Sequence, residues 1–324
     1  MTSNKKIFIF GGSGSLGNAL IKHYLHNNDI VVFSRDECKH WKMSLQYKTD
    51  KIKYIIGDIR NYDKSENALI RENPHIVIVA SALKHIDRCE YAVDECVQTN
   101  YNGILNVTNA VEKNKLLLSN LRCVVYVSTD KACSPINTYG ISKALGERVI
   151  VEKSLHVPNV KFVCVRYGNV LNSNGSIIPI LHAKGRDLTC HEFTLTHNDM
   201  TRFIQTLQDS VDLIDHAMKY AESGDIVIPR ITSMKVKHLI ELFSEKYGKP
   251  IVVTGLRPGE KMLESLMNES QSASMVYSDD GSYHYIKPPY KKVFNIQNSR
   301  DYNSHMNTIS KEELKEYLES LSLI

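Results

Sequence analysis

Seven residues near the N-terminus, Gly11-Gly-Ser-Gly14-Ser-Leu-Gly17, constrain this chain more than any other segment. They directly follow the apolar run Ile7–Phe10 and open the helix-like segment Leu16–His26. A strand, a glycine turn and a helix in that order leave backbone N–H groups bare at the helix N-terminus, where an anion can approach closely. The G-x-x-G-x-x-G spacing after a first strand therefore predicts a pyrophosphate site for a dinucleotide.

The rest of the first half repeats the rhythm. Apolar, β-branched runs recur at Lys6–Phe10, Ile30–Phe33, Ile52–Ile56, His75–Ala80, Cys123–Val127 and Lys161–Val165. Helix-like stretches such as Asn61–Arg71 and Cys96–Lys113 lie between them. This alternation predicts an α/β fold, a Rossmann-like doubly wound parallel sheet. After about Tyr167 the rhythm loosens at the turn cluster Asn172-Ser-Asn-Gly-Ser176. A dinucleotide-binding domain over 1–170 and a smaller C-terminal α/β substrate-binding lobe over 171–324 are expected. Within that lobe a helix Asp199–Tyr220 and a strand Ile226–Ile228 are expected to pack back on the sheet, in part. Tyr277–Tyr290 reads as a surface loop, and Ser310-Lys-Glu-Glu-Leu314 as the capped start of a last helix.

Composition narrows the function class. A net charge of +4 over 324 residues, with no Lys/Arg block, argues against nucleic acid as a partner. No apolar run approaches a membrane span. Seven cysteines without a C-x-x-C pair, and no apolar signal region between Met1 and Lys6, lead us to expect reduced thiols in a cytoplasmic protein. Cys133 is read as a bystander thiol, since no histidine stands in a partner motif. No metal site is expected.

The second strand ends Ser34-Arg35-Asp36. An acid there accepts from the ribose hydroxyls of NAD, whereas an arginine pairs with the extra phosphate of NADP. Ser34 and Arg35 come first, so NADP is expected ahead of NAD. Asp58, after the third strand, is placed to accept from the adenine amino group. Ala80 and Ala82 are small enough to pass the cofactor closely, and Lys84 is within reach of its ribose.

The run Ser128-Thr129-Asp130-Lys131-Ala132 sets an acid and an amine at the end of a strand. Tyr139 and Lys143 then open the next helix, four residues apart and hence on one face. A lysine ammonium near a phenol favours phenolate, which can take a proton from a sugar hydroxyl while the carbon's hydride goes to nicotinamide.

With these residues in view, the chain resembles the extended short-chain dehydrogenases, and within them the inverting, 5-epimerising UDP-N-acetylglucosamine 4,6-dehydratases. The resemblance runs nearly end to end through Phe33-Ser-Arg-Asp-Glu37, Ala82-Leu-Lys-His85, Thr99-Asn100, Ser128-Thr-Asp-Lys-Ala132, Pro135-Ile-Asn137 and Arg166-Tyr-Gly-Asn-Val170. It continues through Gly175-Ser-Ile-Ile-Pro179, Met200-Thr-Arg-Phe203, Ser233-Met-Lys235 and Arg257-Pro-Gly-Glu-Lys261. It implies that Tyr139, assisted by Lys143 and Thr129, deprotonates the C4 hydroxyl while NADP+ takes the hydride. Lys131, held neutral by burial and a nearby positive charge, would then remove the C5 proton, and protonated Asp130 would release the C6 oxygen as water. Lysine in place of the glutamate of glucose dehydratases goes with return of the proton from the opposite face, to an L-arabino 4-keto-6-deoxy sugar. Gly11, Ser13, Gly14, Ser15, Leu16, Gly17, Ile59 and Asn100 would hold the cofactor with the residues above. Lys84, Asn169, Arg202, Arg257 and Glu260 would grip the UDP-sugar, and a dimer or hexamer is implied. Ser81, Tyr101-Asn102 and Thr196-His-Asn-Asp199 depart from the family pattern.

Three rivals stay open. A UDP- or dTDP-glucose 4,6-dehydratase would take a sugar with a hydroxyl in place of the 2-acetamido group, a choice that depends on pocket shape. A sugar-nucleotide 4-epimerase or 4-keto reductase keeps the glycine loop and Tyr139/Lys143 but has no need of Asp130-Lys131. A non-catalytic NADP sensor would have no need of Tyr139 and Lys143.

Overall fold

The computed structural model describes residues 3–291 and 300–324. In the first half, strands β1 (Lys6–Phe10), β2 (Asp29–Ser34), β3 (Ile52–Ile56), β4 (Ile76–Val79), β5 (Cys123–Val127) and β6 (Lys161–Val165) pair in parallel. Helices α1 (Ser15–Tyr24), α2 (Glu37–Tyr47), α3 (Tyr62–Glu72), α4 (Ile86–Tyr91), α5 (Val93–Val97), α6 (Gly103–Lys113) and α7 (Thr138–His156) connect them. The strands are apolar on both faces because helices cover both. Phe8, Phe10, Val31, Phe33 and Tyr126 pack on one side, and Ile7, Ile9, Ile30, Val32 and Val125 on the other.

The second half begins with β7 (Asn169–Val170), α8 (Ile177–Arg186), β8 (Phe193–Leu195), β9 (Thr201–Gln205) and α9 (Leu207–Tyr220). It continues with β10 (Ile226–Pro229), β11 (Ser233–Lys235), α10 (Val236–Tyr247), β12 (Ile251–Val253), β13 (Ser265–Met267), α11 (Glu269–Ser272), β14 (Met275–Tyr277), β15 (Tyr283–Ile286), β16 (Tyr302–Asn303) and α12 (Lys311–Ser320). The main sheet has nine strands in the order β14-β15-β10-β6-β5-β4-β1-β2-β3. β10 adds in parallel to β6, and β15 and β14 close that edge antiparallel. Sequence order reverses between β1 and β4, the crevice where open α/β sheets bind ligands. A separate core of Leu171, Ile178, Phe193, Leu239, Phe243 and Leu314 holds the lobe.

β10, β14 and β15 of the second half belong to the main sheet, β10 where the strand Ile226–Ile228 was expected to pack back. Two expectations change. The helix expected over Asp199–Tyr220 is a strand followed by a helix: Thr201–Gln205 is buried throughout, and the Thr206–Asp209 capping box starts α9 only at Leu207. The loop expected over Tyr277–Tyr290 is largely a hairpin, because Ser278-Asp-Asp-Gly281 makes the turn and Tyr283–Ile286 pairs with β10 on one side and β14 on the other. Among the described residues no helix is long and apolar enough to cross a membrane, and all seven cysteines are free.

Candidate active site

The glycine turn sits where β1 delivers the chain to α1. A Cβ at Gly17 would lie 2.3 Å from the Gly12 carbonyl oxygen, so only glycine lets the helix pack this closely on the turn. No side chain caps α1 at Gly14, which leaves its first-turn N–H groups for an anion. Gly11, Ser13 and Gly14 line a cleft of about 270 Å³ with Ser34, Arg35, Asp58, Ile59, Ala80 and Ala82. Leu16 packs against the core, and the Ser15 hydroxyl accepts from the Asn174 N–H at 3.0 Å. These residues fit a dinucleotide: a bare helix end for the pyrophosphate, and small side chains where the chain passes it.

Asp36 caps α2, where it accepts from the Lys39 N–H at 3.0 Å. Ser34, the half-exposed Arg35, Asp36 and Lys39 all line the cleft. The Ser34 hydroxyl donates to Ser13 Oγ at 2.8 Å and stands 2.6 Å from His40 Nε2. Asp58 pairs with Arg60 at 2.7 Å, and Arg35 stands 3.9 Å from it; burial pushes its carboxyl up, but the hydrogen bonds from Arg60 win and hold it below the usual range. Asn100 lies in a π-helical turn, Gln98–Asn102, and clasps the Leu83 backbone through both amide atoms, at 2.8 and 2.9 Å. It thereby fixes the loop after β4 that passes the cleft. Lys84 reaches Ser173 Oγ at 3.4 Å, and burial lowers its ammonium's pKa.

The reactive group forms where β5 ends. Asp130–Ala132 makes one tight turn that Thr129 caps, and a Cβ at Gly140 would lie 2.2 Å from the Lys131 carbonyl oxygen. That contact seats the first turn of α7, which carries Tyr139, against the backbone of the Asp130–Ala132 turn. Asp130 is fully buried; its Oδ1 accepts from Thr129 Oγ1 at 2.9 Å and from Lys131 Nζ at 2.9 Å. Its Oδ2 has no hydrogen-bond partner among the described residues. Lys131 Nζ also donates to Asn169 Oδ1 at 3.2 Å and stands 3.7 Å from Glu264 Oε1. Two carboxylates, Asp130 and Glu264, lie within ion-pair distance of Lys131. Burial raises the Tyr139 hydroxyl's pKa, opposed by a hydrogen bond with Thr129. Lys143 donates to the Val127 carbonyl at 2.5 Å and lies 3.9 Å over the Tyr126 ring. Burial brings its pKa down to about 7, against the opposing charge of Glu147.

Two expected phosphate ligands have other contacts. Arg202 is buried and donates to the carbonyls of Thr201 and Lys261 at 2.7 and 2.9 Å. Asn169 spends its oxygen on Lys131. Arg257 is exposed and pairs with Glu260 at 2.5 Å, within a turn that Asn137 ties to the start of α7 through the Gly259 carbonyl at 2.8 Å.

A family model described as "Polysaccharide biosynthesis protein" matches residues 7–284. The chain belongs to the polysaccharide biosynthesis protein family. The chain is 36% identical to a UDP-glucose 4-epimerase of Rickettsia typhi, over 100% of this chain and 98% of that one. The crystal structure of Pen from Bacillus thuringiensis superimposes with a TM-score of 0.89 at 32% identity, covering 99% of both chains. DesIV, the dTDP-glucose 4,6-dehydratase of Streptomyces venezuelae solved with NAD, has a TM-score of 0.68 at 16% identity over 81% of this chain and 87% of its own. At that identity it shows a shared fold.

Two residues of this polysaccharide biosynthesis protein were given no role by the sequence, although Arg166 opens one of the runs that carry the resemblance. Glu264, three residues past the Arg-Pro-Gly-Glu-Lys run, enters the reactive group from the lobe side. Arg166 is fully buried and forks onto Glu147 at 3.0 and 2.6 Å, while its third nitrogen reaches the Leu266 carbonyl and Gln271 of the lobe. Cys133, buried beside this network with its thiol pushed up by burial, donates to Gln271 Oε1 at 3.6 Å.

Proposed function

We propose that this chain is an NADP-dependent hydro-lyase that converts UDP-N-acetylglucosamine to UDP-2-acetamido-2,6-dideoxy-L-arabino-hexos-4-ulose, for glycan assembly. The observation that carries this reading is the buried Asp130–Lys131 pair, whose turn packs against the first turn of α7, which carries Tyr139. Bound NADP+ supplies the hydride acceptor and later returns the same hydride. Tyr139 Oη takes the C4 hydroxyl proton, assisted by Lys143 and Thr129. The new ketone acidifies C5–H. Lys131, as a neutral amine, takes that proton; Asp130, as the acid, protonates the C6 oxygen, so the C6–O bond breaks and one water departs. C6 would receive the hydride that the bound cofactor supplies, and a proton would return to C5. Glu260 accompanies the uridine ribose and Arg257 the diphosphate, with Lys84 nearer the sugar. Ser34 and Arg35 support NADP over NAD. We place the enzyme in the cytoplasm as a homo-oligomer.

The Rickettsia relative's name favours a second reading, 4-epimerisation of a UDP-hexose, for which Tyr139 and Lys143 suffice. Incubation with UDP-N-acetylglucosamine and UDP-glucose, followed by mass spectrometry, separates the two. A dehydratase product is lighter by one water; an epimer keeps its mass. In Lys131→Ala, dehydration is expected to fall by roughly a hundredfold or more, in the range of a lost general base, while transient NADP+ reduction persists. Near wild-type output of the 4-keto product from that variant would remove Lys131 from the chemistry.

A further inference from the structure

The reactive group holds one more titratable side chain than elimination requires. Glu264 comes from the lobe, just before β13, and is 1% exposed. Its Oε1 stands 3.7 Å from Lys131 Nζ and its Oε2 stands 3.9 Å from Lys261 Nζ, both beyond hydrogen-bonding reach. Oε2 has no hydrogen-bond partner among the described residues. Both lysines direct protons elsewhere, Lys131 to Asp130 and Asn169, and Lys261 to the Cys133 carbonyl at 2.9 Å. The other charges facing Glu264 are Asp130 and Arg202, whose guanidinium is turned to backbone carbonyls. A carboxylate kept ionised in an interior normally gathers several hydrogen bonds; this one has been left without them.

We propose that Glu264 is a positioning residue that decides whether Lys131 can act as a base. This rests on the dehydratase reading above. With the Glu264 carboxyl protonated, Asp130 and Lys131 share one proton across their 2.9 Å contact. That proton moves from Nζ to Oδ1 and yields, with nothing gained or lost, the amine and the carboxylic acid that elimination needs. With Glu264 ionised, Lys131 is an ammonium between two carboxylates, and the same transfer must break its attraction to Glu264. Burial raises the Glu264 pKa, opposed by Lys131, so the protonated form extends above the ordinary carboxylate range. The sign follows: elimination is present below the Glu264 pKa and fades as pH rises through it.

The test uses the full-length enzyme with bound cofactor and UDP-N-acetylglucosamine in single turnovers from pH 6 to 10. Two rates are read, nicotinamide reduction by absorbance and loss of water by mass. In the wild type the elimination rate is expected to fall about tenfold per pH unit on its alkaline side, as for loss of one required proton. Glu264→Gln, which mimics the protonated carboxyl, is expected to stay within about threefold of the wild-type maximum and to lack that fall. Its reduction step should keep the wild-type profile, which also shows that the variant is folded. Glu264→Met carries the same expectation should the glutamine variant fail to fold. An unchanged alkaline fall in the variants, or loss of elimination at every pH, would overturn the role given to Glu264. A wild type that forms no dehydrated product at any pH would instead overturn the dehydratase reading.

Discussion

Lys143 shows how far one buried side chain can be pushed. It is held between the Val127 carbonyl and the Tyr126 ring, and burial lowers its ammonium to about 7. The unfolded chain binds that proton up to about pH 10.4, so between the two values the unfolded state carries more protons than the folded one. Stability of the cofactor-free protein is therefore expected to climb from about pH 7 to about pH 10, by at most about 1.4 kcal/mol per pH unit. Urea unfolding at pH 7 and pH 9 measures this, and Lys143→Met should flatten the climb. Stability that drops over the interval in the wild type, while the methionine variant holds steady, would reverse the argument. Tyr139 and Lys143 were both readable from their four-residue spacing. Their surroundings were not: burial dominates at the phenol, and the Val127 carbonyl holds the amine.

At the level of elements, the site depends on one close meeting, between the Asp130–Ala132 turn and the first turn of α7. A methyl group at Gly140 would collide with the Lys131 carbonyl at 2.2 Å. Gly140→Ala should therefore lower both nicotinamide reduction and water loss by more than about tenfold, at a stability cost of about 1–3 kcal/mol typical of overpacking. A variant with unchanged rates would show that the turn and helix can part freely. The first six strands were legible because a buried parallel strand is a short apolar run between helices. The segment 199–220 was not, because Thr201-Arg-Phe-Ile-Gln205 carries polar residues that only tertiary contacts bury: Arg202 against carbonyls, and Gln205 Nε2 against Ser210 Oγ at 2.6 Å. The π-helical turn that turns Asn100 onto Leu83 was likewise hidden inside a segment that reads as a plain helix.

Across the whole molecule, the first half and the lobe are fastened by a buried arginine. Arg166 pairs with Glu147 on α7 and donates to the Leu266 carbonyl of β13, and Glu147 also accepts from Ser128 Oγ at 2.5 Å. Arg166→Met would strand that carboxylate, and a loss of about 3–5 kcal/mol in unfolding free energy is expected. Adding Glu147→Gln should restore part of it; no recovery in the double variant would mean that packing rather than charge is at stake. Such a cross-lobe contact has no local sequence signal, since its partners lie 19 and 100 residues away. The strand order carries a further consequence for synthesis on the ribosome. β6 is complete at residue 165, yet its outer neighbour β10 spans 226–229, and β15, beyond β10, is complete only at 286. Until translation reaches them, a nascent chain exposes the unpaired edge of β6, the kind of edge that recruits other strands. Slowed elongation between those points should therefore favour inclusion bodies more than a pause after the last strand has emerged.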